Sequence, residues 1–449
     1  MAIKIAFIGA GSIGFTRKLV KDLLSVPEFK DIEIRFMDID QSNLDMVTQL
    51  TQRDIDKNEL GIKIISTLDR PKALKNADYV INVARIGGLE AFGPDIEIPM
   101  KYGVNQCVGD TLCAGGIMYG QRGVAFMLDL CKDIRELCSD KVLMLNYANP
   151  NAMMTWAANK YGKVNTIGLC HGVQGGHKLI SEALGLPQSE VDIICAGINH
   201  QTWYIGVKHN GKDMNPMVLD AIKKHPEFSK TQKVRIDMME RFGYFSTESN
   251  GHLSEYVAWY RKRPDEIKDW IELGVWIDGE PGGYLRQCKE RKNSYDTEFP
   301  KMLKAEPNKY DYEDRSNEHG SYIIESLETG RLYRGHFNVV NNGAISNLAD
   351  DAIVEVPGYI DANGVSIPIV GDLPLGCAAV CTQSIDVQRL AVEAAVNGDV
   401  TLLKQAMMMD PLTGAVLNPP EIWEMTDEML VAQEEWLPQY SKYIQAIKK

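Results

Sequence analysis

The sequence predicts an α/β fold, a Rossmann-type doubly wound parallel sheet followed by a mixed α/β second lobe. Through the first half of the chain apolar strand-like runs alternate with amphipathic stretches. A glycine-rich turn joins the first run to the first helix, and 449 residues exceed what one such unit uses.

The runs IKIAFIGAG, IEIRFMDID, KIIST, ADYVINVA, VLMLNYANP, NTIGLCHG and IICAGINH are apolar and end in small or polar residues, the pattern of buried parallel strands. Thr16 to Leu24 and Val124 to Leu137 are amphipathic and long enough for right-handed crossover helices. Ligands of such sheets sit at the carboxyl ends of the strands, where Gly9, Asp38, Asn149, Cys170, Asn199 and His200 fall. After about Trp203 longer helices are expected, including Val234 to Phe242, Glu318 to Leu327 and Ile385 to Val396, with strands near Asn338 and from Ala352 to Val356. FNVVNNGAISNL reads as a strand pair turning at Asn-Asn-Gly. No Pro- or Ser-rich linker separates the halves, and the units are expected over residues 1–200 and 201–449.

Composition removes several function classes. A net charge of −13 leaves no basic surface for nucleic acid. The start MAIKIAFIGAGSIGF lacks the features of a signal peptide, and no run approaches the roughly 18 apolar residues of a membrane span. A soluble, cytoplasmic protein acting on a small molecule is expected. The nine cysteines are odd in number and scattered, so they read as core residues in place of a disulfide framework, Cys170 excepted.

The sharpest motif is Gly9-Ala10-Gly11-Ser12-Ile13-Gly14, between a strand and a helix. Its glycines permit a tight turn and bring a pyrophosphate to the helix N-terminus. Asp38 ends the second strand at roughly the 20-residue separation at which a carboxylate meets ribose hydroxyls, which favours NAD. A second group closes three strands: Asn146 to Pro150, Gly168 to Gly172, and Gly197 to His200. A thiolate at Cys170 and an imidazole at His200 can grip a divalent ion and leave positions open for substrate oxygens; the same pair reads equally well as a buried thiol and a core histidine. Thr247 to Tyr256 is polar and ionisable, and by itself reads as an exposed loop entering a helix capped by Ser249 or Asn250. Asp110, in VGDT, reads as a turn carboxylate unless a basic or metallic partner sits beside it.

Taken in order, GAGSIGF, MDID, VGDT, NYANP, LCHGV, GINH and TESNGHLSEY resemble glycoside hydrolase family 4, in particular its α-galactosidase branch. NNGAISNL, VEVPGYIDANG and EEWLPQY extend the resemblance almost to the C-terminus. The resemblance implies NAD at Gly9, Gly11, Ser12, Ile13, Gly14 and Asp38, and Mn²⁺ on Cys170 and His200. It places Asn149, Asn199 and Arg286 on the sugar, His171 at the acid position, and Asp110 near a base that is His252 or Tyr256. The implied reaction is an α-glycoside hydrolysis without two-carboxylate displacement: oxidation at sugar C3, elimination across C2 and C1, addition of water and re-reduction. Phosphosugar members carry an arginine where this chain has Phe92, which disfavours a sugar phosphate. His171-Gly172-Val173 departs from the His-Ser-Val expected of α-galactosidases, so α-glucosidase and α-galacturonidase or α-glucuronidase stand as alternatives. The family suggests homodimers or homotetramers. A malate- or lactate-type dehydrogenase shares the expected fold, but has no use for a cysteine ligand; an NAD-sensing regulator is a third reading.

Overall fold

Strands covered on both faces must be apolar throughout, and β1 (Ile3–Ile8), β2 (Ile32–Met37), β4 (Tyr79–Asn82) and β5 (Leu143–Asn146) are almost wholly buried; β3 is Ile65–Thr67 and β6 is Thr166–Gly168. The computed structural model describes residues 2–272, 274–292 and 294–449. In it β1 to β6 run parallel in the order β3-β2-β1-β4-β5-β6, the doubly wound arrangement the sequence predicts. KIIST differs in one respect: β3 is the edge strand, and Ile65 is half exposed.

The sheet continues through β10 (Tyr333–Val340), β11 (Ile353–Asp361), β7 (Val191–Ile198), β8 (Gln201–His209) and β9 (Lys212–Asp213), with β12 (Gly364–Ser366) beside β11. β7 was expected to be parallel. It pairs antiparallel with both β8 and β11, because the chain returns at once through the two-residue turn Asn199-His200. Residue 200 thus lies in a hairpin, and Ala6, Met144, Trp203, Val354 and Val392 share one buried cluster across it.

Two further expectations change. The strand pair in FNVVNNGAISNL is not formed within that segment; β10 pairs with β11, and Asn341 organises the loop between them by donating to the carbonyls of Ile345, Leu348 and Ala349. The helix expected from Val124 runs over Cys113–Leu137, its first half buried all round and therefore without amphipathic contrast. Its glycines mark close packing: a Cβ at Gly120 or Gly123 would stand 2.7 Å from the sulfur of Met153 or Met154.

That helix is anchored at Arg122, which is 1% exposed and donates bidentately to Asp95 at 2.9 and 2.7 Å, while Gln433 near the C-terminus donates to the same carboxylate. Among the described residues no helix is long and apolar enough to cross a membrane. Removing one partner of a buried ion pair strands the other, so Asp95→Asn is expected to cost about 3–5 kcal/mol. A shift of the denaturant midpoint measures it, and a midpoint at the wild-type value would contradict the anchoring role.

Candidate active site

The glycine-rich turn is fastened to the end of β2. Gly9 and Ala10 donate to the Met37 carbonyl, and the Gly11 N–H donates to Asp38 Oδ2 at 2.7 Å. A Cβ at Gly11 would stand 2.8 Å from that same oxygen, so the carboxylate occupies the space a side chain would need. Ser12 Oγ accepts from the Phe15 N–H at the start of the Phe15–Leu24 helix, Ile13 is buried in the core, and Gly14 is the helix N-cap with no side-chain cap. A helix start without a side-chain cap and a carboxylate at the second strand end fit a dinucleotide's pyrophosphate and ribose.

Farther along the chain Cys170, His200 and Glu248 converge, with one donor atom from each within 4.8 Å of the others. Cys170 lies just past β6, and His200 sits in the β7–β8 turn at φ +63°. Glu248 follows a segment that hydrogen-bonds β8 through Phe245 and Thr247. Thr111 Oγ1 at 3.2 Å and the Tyr256 hydroxyl at 3.1 Å engage His200 Nδ1, which leaves Nε2 for a ligand. Gly172 explains the residue order after the cysteine: its N–H points at Cys170 Sγ (3.4 Å), and a Cβ there would fall 1.8 Å from Glu248 Oε2.

Burial, with Glu248 and Glu355 nearby, pushes the Cys170 thiol well above its ordinary pKa. Burial works against the Glu248 carboxylate too, yet His200, His252 and His171 hold it below its usual value. A divalent cation would balance both charges and draw the proton from the thiol. One sulfur, one nitrogen and one oxygen donor form an open transition-metal site with room for substrate oxygens.

Next to it Asp110 is buried, accepting from Asn149 Nδ2 and Thr111 Oγ1 at 3.0 Å each, with the Arg85 guanidinium 4.0 Å away. Thr247 to Tyr256 is almost wholly buried, against the exposed loop expected. Ser249 caps the Asn250–Glu255 helix and its Oγ meets His252 Nδ1 at 2.8 Å. Burial, then His200, depress the His252 pKa to about 4, and burial raises that of Tyr256 well above 10.

A model described as Family 4 glycosyl hydrolase matches residues 4–186, and one for that family's C-terminal domain matches residues 195–413. The chain belongs to glycosyl hydrolase family 4. It is 55% identical over its full length to an alpha-galactosidase of Rhizobium meliloti, covering 92% of that protein. A Bacillus subtilis alpha-galactosidase is 36% identical, with 97% of this chain and 99% of that one covered. Among solved structures, a 6-phospho-alpha-glucosidase from gut microorganisms, in complex with NAD and glucose-6-phosphate, superposes with a TM-score of 0.80 at 26% identity, over 98% and 99% of the two chains. Family membership decides against the malate- or lactate-type dehydrogenase.

In this family 4 hydrolase Cys170, His200, His252, Tyr256, Asp110 and Asn149 are joined by the contacts above, and His171 stands at the rim, exposed, 4.0 Å from Glu318. Two expected sugar contacts lie otherwise. Asn199 is fully buried beside Cys170 and Glu355. Arg286 is on the exposed side of the Gly283–Lys292 helix, paired with Glu280 and Glu290, and it is Tyr284 of that helix that reaches Arg85, at 2.9 Å. Sequence reasoning missed Glu248, Arg85 and Glu355. Glu355 is pushed up to about 8 by burial and Glu248; its signal was one carboxylate inside the apolar run of β11.

Gly172→Ala should displace Glu248, and Glu248→Gln should remove its charge. Each is expected to weaken Mn²⁺ binding, followed by electron paramagnetic resonance, by about tenfold or more while sparing NAD⁺. Wild-type affinity in both variants would remove Glu248 from the site.

Proposed function

We propose that this family 4 hydrolase cleaves α-glycosides, α-galactosides first, with NAD on the Gly9–Gly14 turn and Asp38 and with Mn²⁺ on Cys170, His200 and Glu248. The carrying observation is the convergence of a thiol, an imidazole and a carboxylate in a chain whose dinucleotide turn is fastened to Asp38. Full-length similarity to the Rhizobium alpha-galactosidase supports the substrate class. So does Phe92, which is buried against Ile96 and Leu285 where phosphosugar members carry an arginine. Mn²⁺ is the ion the family implies, and the donor set accommodates it.

Held by the Gly9–Gly14 turn and Asp38, the dinucleotide would supply a hydride acceptor for sugar C3, and the ion on Cys170, His200 and Glu248 would supply a Lewis acid for the adjacent oxygens. The chain's residues divide the remaining work. His252, neutral at ordinary pH and held through Nδ1 by Ser249, has Nε2 for the C2 proton. Tyr256 spends its hydroxyl on His200 and orients that ligand. Asn149 and Asp110, braced by Arg85, face sugar hydroxyls, and His171 at the rim delivers a proton to the leaving group. Residues 1–200 serve as the NAD-binding unit and 201–449 as the catalytic and oligomerisation unit of a cytoplasmic homodimer or homotetramer. The free cysteines agree with a reducing compartment.

Dialysed enzyme should hydrolyse nitrophenyl α-galactoside only after NAD⁺ and Mn²⁺ are returned. Full turnover without NAD⁺ would overturn the reading. Hydrolysis in D₂O should place deuterium at sugar C2, which displacement at C1 would leave untouched. His252→Ala should abolish that exchange and Tyr256→Phe should keep it with weaker Mn²⁺ binding; the reverse result would make Tyr256 the base.

A further inference from the structure

Glu255 is 1% exposed at the end of the Asn250–Glu255 helix, and its carboxylate is spent on backbone. Oε2 accepts from the N–H groups of Cys107 at 2.8 Å and Val108 at 3.2 Å, and Oε1 from that of Gly109 at 3.1 Å. Three successive amides around one carboxylate form an anion nest built from the protein's own side chain. Gly109 closes it at φ +57°, where a Cβ would also strike Ile96 at 2.4 Å. Arg261, fully buried and donating to Ser254 Oγ and the Gly279 carbonyl, supplies nearby positive charge.

The next two residues are Asp110, which holds Asn149, and Thr111, whose hydroxyl reaches His200 Nδ1 at 3.2 Å. Tyr256, directly after Glu255, reaches the same nitrogen at 3.1 Å. We propose that Glu255 is a positioning residue: by gathering the Cys107–Gly109 amides it fixes the loop that carries Asp110 and Thr111, and thereby the orientation of His200. Its consequence for metal binding rests on the proposed function; the nest itself does not. A neutral isostere would fill the same space, but it would turn an NH₂ group against backbone donors. Geometry at the loop would then relax even where the fold persists.

The test compares Glu255→Gln, Thr111→Val and the double variant with wild type, without sugar. Hydrogen exchange at the Cys107–Gly109 amides should quicken by about tenfold or more in Glu255→Gln and stay at the wild-type rate in Thr111→Val. The Mn²⁺ dissociation constant should rise about tenfold in the first and about threefold in the second. The double variant should resemble Glu255→Gln, because both changes cut one chain of contacts. Unchanged exchange in Glu255→Gln, unchanged Mn²⁺ binding, or full additivity in the double variant would overturn the proposal. If Glu255→Gln does not fold, Glu255→Asp takes its place, with quickened exchange expected at the same three amides and the wild-type rate counting against the nest. A wild-type protein that binds no Mn²⁺ would sink the metal reading instead, and the exchange data would still decide the nest.

Discussion

One row of four residues holds the halves of the sheet together. Gly168 of β6 pairs with Asn338 of β10, Asn338 with Glu355 of β11, and Glu355 with Gly197 of β7. Cys170 and His200 leave the sheet shortly after the two ends of that row, so the convergence of thiol and imidazole is a product of strand pairing. The end positions tolerate nothing larger: a Cβ at Gly168 would stand 2.1 Å from Asn151 Oδ1, and one at Gly197 would stand 2.5 Å from the Gln201 carbonyl. The middle of the row is polar where a sheet interior is ordinarily apolar. Both amide atoms of Asn338 and one oxygen of Glu355 are buried without a protein partner. Each such group costs about 1–3 kcal/mol. Polar groups held at that cost directly behind Cys170 mark a place where site chemistry outweighs packing.

Much of this was legible in the sequence. The strand-turn-helix around Gly9, the acid at Asp38 and the strand-end residues Cys170 and His200 are local patterns, and each came from periodicity plus a punctuating residue. Direction was not legible for β7, since a short apolar run reads the same in a parallel or an antiparallel strand. Polarity misled in Thr247 to Tyr256, where the residues are buried because each finds a partner. Asn250, for example, accepts from the Val234 N–H and donates to the Trp270 and Asp278 carbonyls. Glu248 was out of reach because only the fold brings it to Cys170, and Glu355 showed only as a carboxylate in an apolar run, with no spacing to announce their meeting. Arg286 is paired off by Glu280, just before its helix, and by Glu290 one turn along it.

The electrostatics of the site show why its parts belong together. Three carboxylates and a thiol sit among His200, His252, His171 and Arg85, and the groups answer burial differently. Glu248 is held ionised by imidazoles, whereas Glu355 and the Cys170 thiol are driven towards their neutral forms. That division sets a charged Glu248 carboxylate beside a thiol that burial keeps protonated until a dication draws the proton away.

The space at Gly172 ties a small residue to the metal-ligand group. Because the Glu248 carboxylate fills the volume where a β-carbon at position 172 would stand, the two positions, remote in sequence, compete for one shared volume. A serine after the Cys-His pair would require the Glu248 carboxyl group to swing aside from its present position. A change at position 172 would therefore be felt first at Glu248, and through it at Cys170 and His200, ahead of any contact with the sugar.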